Sequence, residues 1–104
     1  MQELVVLVYK LTTKFPRMEE RGLSSQMQRA AVSVLSNFIE GYLKRSTKEK
    51  LLYLERSKTS LQELEAQGEI SLVLNYISSK EHELFDLKRG EVGYLLHQYS
   101  SKIY

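Results

Sequence analysis

The sequence predicts an all-α protein, an antiparallel up-down-up-down four-helix bundle made by one domain over residues 1–104. Three observations lead there. Apolar residues recur three and four positions apart in four successive segments, the period of a helix with one buried face. One Pro and five Gly in 104 residues supply too little turn chemistry for an all-β chain. Short polar links join the segments, and short links favour antiparallel neighbours.

The first helix is expected from about Glu3 to Lys14, with Leu4, Leu7, Val8, Leu11 and Phe15 on one face. Val5, Val6 and Val8 are β-branched and therefore stiff in a helix. Pro16 closes the segment, because the residue before a proline is pushed out of the α region. Arg17 to Leu23 reads as a polar connection. The second helix is expected to start at Ser24 or Ser25, with Gln28 completing a capping box after Ser25. Its apolar positions are Met27, Ala30, Ala31, Val34, Leu35, Phe38 and Tyr42. Ala30 and Ala31 are small enough for another helix to come close. Gly41 either ends this helix or lets a neighbour approach.

Ser46, with Glu49 three residues on, opens the third helix as a capping box. Leu51, Leu54, Leu61, Leu64, Leu72 and Leu74 carry it to about Leu74, roughly 42 Å at 1.5 Å per residue. Gly68 inside it costs about 1 kcal/mol relative to Ala. Asn75 can take the left-handed conformation that closes a helix. The fourth helix opens at Ser78, with Glu81 as its capping-box partner. Leu84, Phe85, Leu87, Val92, Leu95, Leu96, Tyr99 and Ile103 form its stripe, and Gly90 and Gly93 loosen its middle.

The absence of Cys excludes a disulfide scaffold, a thiolate zinc site, an iron–sulfur cluster and a Cys nucleophile. No basic leader with a small-residue cleavage site precedes the first helix, so no signal peptide is expected. No run approaches the ~18 apolar residues of a membrane span. A cytoplasmic protein without membrane contact is the expectation. The net charge of +2 is mild, but it is unevenly spread. Lys14 to Lys58 holds ten basic against five acidic residues, and Thr59 to Tyr104 holds four against seven. Such asymmetry marks an anionic partner or one part of an assembly meeting another. The plainer reading is two solvated helix faces of opposite sign.

No metal, cofactor or catalytic residue is expected. A di-iron bundle needs Glu three residues before each ligating His. Ser79 and Tyr94 stand before His82 and His97 instead. Neither a Gly-x-Ser-x-Gly elbow nor a glycine-rich phosphate loop is present. Two polar sets do stand out. Asn37 and Gly41 continue the inward seam of the second helix with Glu40 beside it, and Ser60, Glu63 and Gln67 flank that of the third. Asn37, Glu40, Ser60 and Glu63 are expected to set register between helices or subunits, since buried polar groups need partners. The basic set is Arg29, Lys44, Arg45, Lys48, Arg56 and Lys58, with Lys50 among them and Tyr42 and Tyr53 interleaved. Cations spaced along a helix neutralise phosphates, and tyrosines stack on bases. Arg17 and Arg21 are expected at the same end. The plainer reading is a solvated face with internal pairing, for example Lys50 with Glu49 or Glu55.

The stretch from Gly22 to Ser33, GLSSQMQRAAVS, resembles the GLTSQIRRAAVS signature of the 23S rRNA intervening-sequence protein family. Ser36 to Gly41, SNFIEG, is similar to its SNIAEG motif. Ser60 to Glu65, SLQELE, is similar to its SLxELE motif, and Asn75 to Ser78, NYIS, to its GYIS turn. The matches run in order over nearly the whole chain. The resemblance implies an antiparallel four-helix bundle that assembles as a homopentamer and is encoded within insertions in large-subunit rRNA genes. A related branch, the accessory variability protein of diversity-generating retroelements, is a basic pentamer that binds nucleic acid and a reverse transcriptase. Leu35 stands where the family often has Pro, Asn75 where it usually has Gly, and a net charge of +2 is low for the retroelement branch.

Three functions are weighed on these grounds. The first is a non-catalytic, self-assembling accessory or adaptor associated with RNA or DNA, with a reverse transcriptase as a further candidate partner. The second is a purely structural protein-interaction module without nucleic-acid binding. The third, an enzyme, has Glu40 with Glu63 as its one candidate carboxylate pair.

Overall fold

The computed structural model describes residues 1–103. Among them are four α-helices: α1 (Gln2–Thr12), α2 (Leu23–Leu43), α3 (Thr47–Val73) and α4 (Ser79–Ile103), with a 3₁₀ turn at Arg17–Glu19 before α2. Each helix packs on two others in the cyclic order α1, α2, α3, α4, and α2 with α3 is the broadest contact. Side chains joining the helices run in opposite senses along each pair. Val34 meets Ser57 where Met27 meets Ser71. His82 meets Glu69 where Arg89 meets Glu65. The bundle is therefore antiparallel, up-down-up-down. Its 43 Å long dimension is close to the roughly 40 Å of the 27-residue α3 alone. Among the described residues no helix is long and apolar enough to cross a membrane.

The core holds Leu4, Val8 and Leu11 of α1, Met27, Ala30, Ala31 and Val34 of α2, Leu54, Leu61 and Leu64 of α3, and Phe85, Val92 and Leu96 of α4. Phe15 and Ile77 close one end, where the Phe15 and Tyr76 rings lie 5.1 Å apart. The face of α3 toward α2 is lined by small residues, with Ser57, Ser60 and Ser71 all buried. The Ser57 hydroxyl donates to the Val34 carbonyl at 2.7 Å, and Ser71 to its own helix at Gln67 O at 2.8 Å. Satisfying these hydroxyls on backbone carbonyls lets the two helices approach without stranding polar groups. Gly68 is a point of contact of another kind. The Phe85 ring edge fills the space of its missing side chain, 2.3 Å from where a Cβ would stand.

Ser46 caps α3 with one of the two bonds of the expected capping box, and the expected box at Ser78 forms in full. Glu49 N–H donates to Ser46 Oγ at 3.0 Å. At Ser78 the exchange is reciprocal: Ser78 N–H donates to Glu81 Oε1 and Glu81 N–H to Ser78 Oγ. Asn75 has φ +60°, and the N–H groups of Tyr76 and Asn75 reach back to Ser71 O and Leu72 O. That is the double closure of a Schellman motif.

Other expectations are corrected. Helix α1 ends at Thr12, two residues early, with the Thr12 hydroxyl turned back onto Val8 O at 2.8 Å. Helix α2 begins at Leu23, and neither Ser24 nor Ser25 caps it. Ser24 is buried, Ser25 donates to Gly22 O, and Gln28 bonds Thr12 across the α1–α2 interface. The cap comes from Glu19 of the 3₁₀ turn, whose carboxylate accepts from Leu23 N–H at 3.1 Å. A carboxylate there meets the positive end of the helix dipole. Of the two readings of Gly41, the close approach of a neighbour holds: it lies inside α2, which continues to Leu43, and a Cβ there would stand 2.9 Å from Tyr53 Cβ. Leu74, Leu84, Leu87 and Leu95 are about half exposed instead of lining the core.

Candidate nucleic-acid interface

The α2–α3 turn is short because Lys44 and Ser46 both have extended backbones, and α3 starts directly on the Ser46 cap. This places Lys44, Arg45 and Lys48 at one end of the bundle. Just inside the turn, Gly41 faces Tyr53 so closely that a Cβ on Gly41 would stand 2.9 Å from Tyr53 Cβ. The glycine thus seats the tyrosine against α2. Lys44 Nζ then lies 5.2 Å and Arg56 Cζ 4.9 Å from the centre of the Tyr53 ring. Both are within cation–π range of its electron-rich face. Lys50 donates to Tyr42 O at 3.1 Å and lies 5.9 Å from the Tyr42 ring. Tyr42 in turn packs with Phe38 and Tyr99.

Ion pairs are segregated. Lys14 pairs with Glu81, Lys88 with Glu3 and Glu91, and Arg89 with Glu65 and Asp86, all joining or lying on α4. Lys88 holds the Glu3 carboxyl below its usual range, through a hydrogen bond and its charge, and is itself raised in return. Among the described residues no carboxylate lies within 4.0 Å of Arg29, Lys44, Arg45, Lys48, Lys50, Arg56 or Lys58. The internal pairing considered for Lys50 with Glu49 or Glu55 does not form.

The basic set does not form one patch. Lys44, Arg45, Lys48 and Arg56 gather around Tyr53 and the turn, and Lys58 lies further along α3. Arg29 is 15 residues before Lys44 on α2, about 22 Å away at the helical rise. It lines a groove of about 370 Å³ between α2 and α3 with Gln26, Ser33, Ser60, Glu63 and Gln67. Arg17 and Arg21 precede α2 and so lie at the opposite end of the bundle from Lys44, not with it.

The polar seam is assembled in part. Asn37 Nδ2 donates to both the carbonyl and the hydroxyl of Ser33 at 2.9 Å, and the Ser33 and Ser60 hydroxyls share a 2.7 Å bond. Asn37 and Ser60 thus join α2 to α3 through Ser33. Glu40 and Glu63 are exposed and take no part. Glu63 sits beside Arg29 and Ala30, and Glu40 lies about 15 Å further along α2. The structure does not bring the two carboxylates together. Ser33 was not singled out from sequence, although it stands four residues before Asn37 on the same helix face. Gln67 was noted only as a flank, and its Oε1 is buried in the groove without a hydrogen-bond partner.

The groove draws on GLSSQMQRAAVS and SLQELE, and the Tyr53 cluster meets SNFIEG only at Gly41. A sequence model described as 23S rRNA-intervening sequence protein matches residues 1–98. The chain belongs to that family. The match spans all four helices, so the family assignment and the bundle support each other. No curated protein matches the chain at significance.

Proposed function

We propose that this member of the 23S rRNA-intervening sequence protein family is a non-catalytic, self-assembling bundle. In this reading it serves as a nucleic-acid-associated accessory or adaptor, encoded with an rRNA intervening sequence or in a retroelement-like context. The observation that carries the reading is the segregation of charge. Lys14, Lys88 and Arg89 are neutralised by ion pairs that join or lie on α4, while none of the seven cations from Arg29 to Lys58 has a carboxylate within 4.0 Å among the described residues. A cluster of unneutralised cations, as Lys44, Arg45, Lys48 and Arg56 form at the α2–α3 turn, suits a polyanion.

Self-assembly is supported by apolar side chains that a monomer of this size leaves in water. One set is on α4, with Leu87 59% and Tyr94 62% exposed and Leu84 and Leu95 nearly half. Another is on α1 and α2: Val6, Tyr9, Val32 and Ile39. Two unlike patches on one chain favour head-to-tail contact, which closes into a ring when the rotation permits. Five copies, the number the family resemblance implies, would carry a charge of about +10 and repeat the basic cluster five times, so weak contacts would gain avidity.

Light scattering on a gel-filtration column, with and without mixed RNA at low and moderate salt, tests the reading. The expected result is a particle of about 60 kDa, five 12.1 kDa chains, that shifts with RNA at low salt only. A monomer would overturn the assembly. A pentamer indifferent to RNA would leave the second reading, a protein-interaction module, which the exposed apolar stripe of α4 favours.

A further inference from the structure

We infer that Lys44 and Arg56, held on the ring of Tyr53, form a cradle for the phosphodiester backbone of a nucleic-acid strand, which binds without reading its bases. The inference rests on the nucleic-acid reading proposed above and names the contact through which it acts.

Two like charges on one ring repel each other, and a fold that only needed surface cations would keep them apart or place an acid between them. Here the ring faces are electron-rich enough to hold both, with no carboxylate within 4.0 Å of either among the described residues. An anion set against the pair completes the neutralisation. The seat is built from the backbone, because α2 has glycine where Tyr53 Cβ comes against it. Lys50 is fixed close by through the Tyr42 carbonyl.

The same contacts decide what is not read. Stacking a base requires an open aromatic face. Tyr53 is half-buried and engages two cations, and Tyr42 packs with Phe38, Tyr99 and Lys50. Tyr53 therefore positions cations and does not receive a base. Phosphate contacts fix a strand without carrying sequence information.

The test is fluorescence anisotropy with labelled A20 and U20 RNA at several salt concentrations. It uses the full-length chain, the Lys44→Gln, Arg56→Gln, Tyr53→Phe and Tyr53→Leu variants, and the Arg17→Gln/Arg21→Gln control at the other end. Circular dichroism verifies that each variant keeps its helices. The expected result is equal affinity for A20 and U20 within about threefold, and a salt slope smaller by about 0.7 for each cation removed. Tyr53→Phe keeps binding because the ring remains, whereas Tyr53→Leu loses about as much as losing both cations, and the control binds like wild type. A wild-type preference between A20 and U20 that vanishes in Tyr53→Leu would show stacking and overturn the inference. Unchanged binding in Lys44→Gln and Arg56→Gln would overturn the cradle while leaving nucleic-acid binding intact. Inorganic phosphate displacing RNA better than chloride of equal ionic strength would make this a free-phosphate site instead. No binding of wild type at low salt would end the underlying reading and the cradle with it.

Discussion

Gly68 and Gly90 are alike in sequence terms, each a glycine inside a long helix, and the structure sets them apart. The Phe85 ring occupies the side-chain space of Gly68 at less than van der Waals distance, whereas nothing lies within 4 Å of a Cβ at Gly90. Gly68→Ala forces the buried ring out of its place and is expected to cost about 1–3 kcal/mol, the usual penalty of overpacking. Gly90→Ala restores helix propensity at no steric cost and is expected to stabilise by about 1 kcal/mol. Urea denaturation of both variants checks this, and the opposite signs matter more than either magnitude. At the same scale, Ser57 and Ser71 read as polar interruptions of a leucine pattern. Their burial was not legible, because it depends on hydroxyls finding carbonyls at Val34 and Gln67 in the folded bundle.

Elements were legible where their signals are local. The caps at Ser46 and Ser78 and the left-handed Asn75 involve groups three to five residues apart, so the chain announces them. The start of α2 was misplaced because its cap is supplied by Glu19 from a 3₁₀ turn that the residue pattern did not reveal. That turn is a junction, since Glu19 also accepts a 2.9 Å bond from the Tyr76 hydroxyl at the α3–α4 connection. The hydrogen bond to Glu19 raises the Tyr76 phenol above its ordinary value. A group with a raised folded value stabilises fully below its unfolded value, near pH 10, and loses that contribution as pH rises through the folded one. The melting temperatures of wild type and Tyr76→Phe are therefore expected to differ at pH 8 and to converge in more alkaline buffer. A gap that stays constant would separate Tyr76 from the effect.

At the scale of the molecule, the heptad-like stripe of α4 pointed to more burial than one chain provides. Leu84, Leu87 and Leu95 have the period of a packed face, yet only Phe85, Val92 and Leu96 are buried. A single-sequence pattern does not distinguish a face buried by the chain's own helices from one left for another surface. The charge division was legible as counts, and its physical form was not. Only the fold shows that Glu65, Glu69, Glu81, Asp86 and Glu91 of the acidic half pair on or against α4, leaving the basic cluster unmatched. The candidate seam was likewise half legible: Asn37 and Ser60 meet through Ser33, while Glu40 and Glu63 are separated by the length of helix between them.

The cyclic order of the helices also ranks them by how firmly each is held. Helix α1 is the shortest, packs against α2 and α4 more sparingly than α2 packs against α3, and contains three valines with low helix propensity. Backbone hydrogen bonds that open without exposing the serine-lined α2–α3 interface require the least work. In native-state amide exchange, α1 is therefore expected to lose protection first, as one cooperative unit, and the amides around Val34 and Ser57 last. The bundle is in this sense a stable helical pair, α2 with α3, onto which α4 and then α1 close.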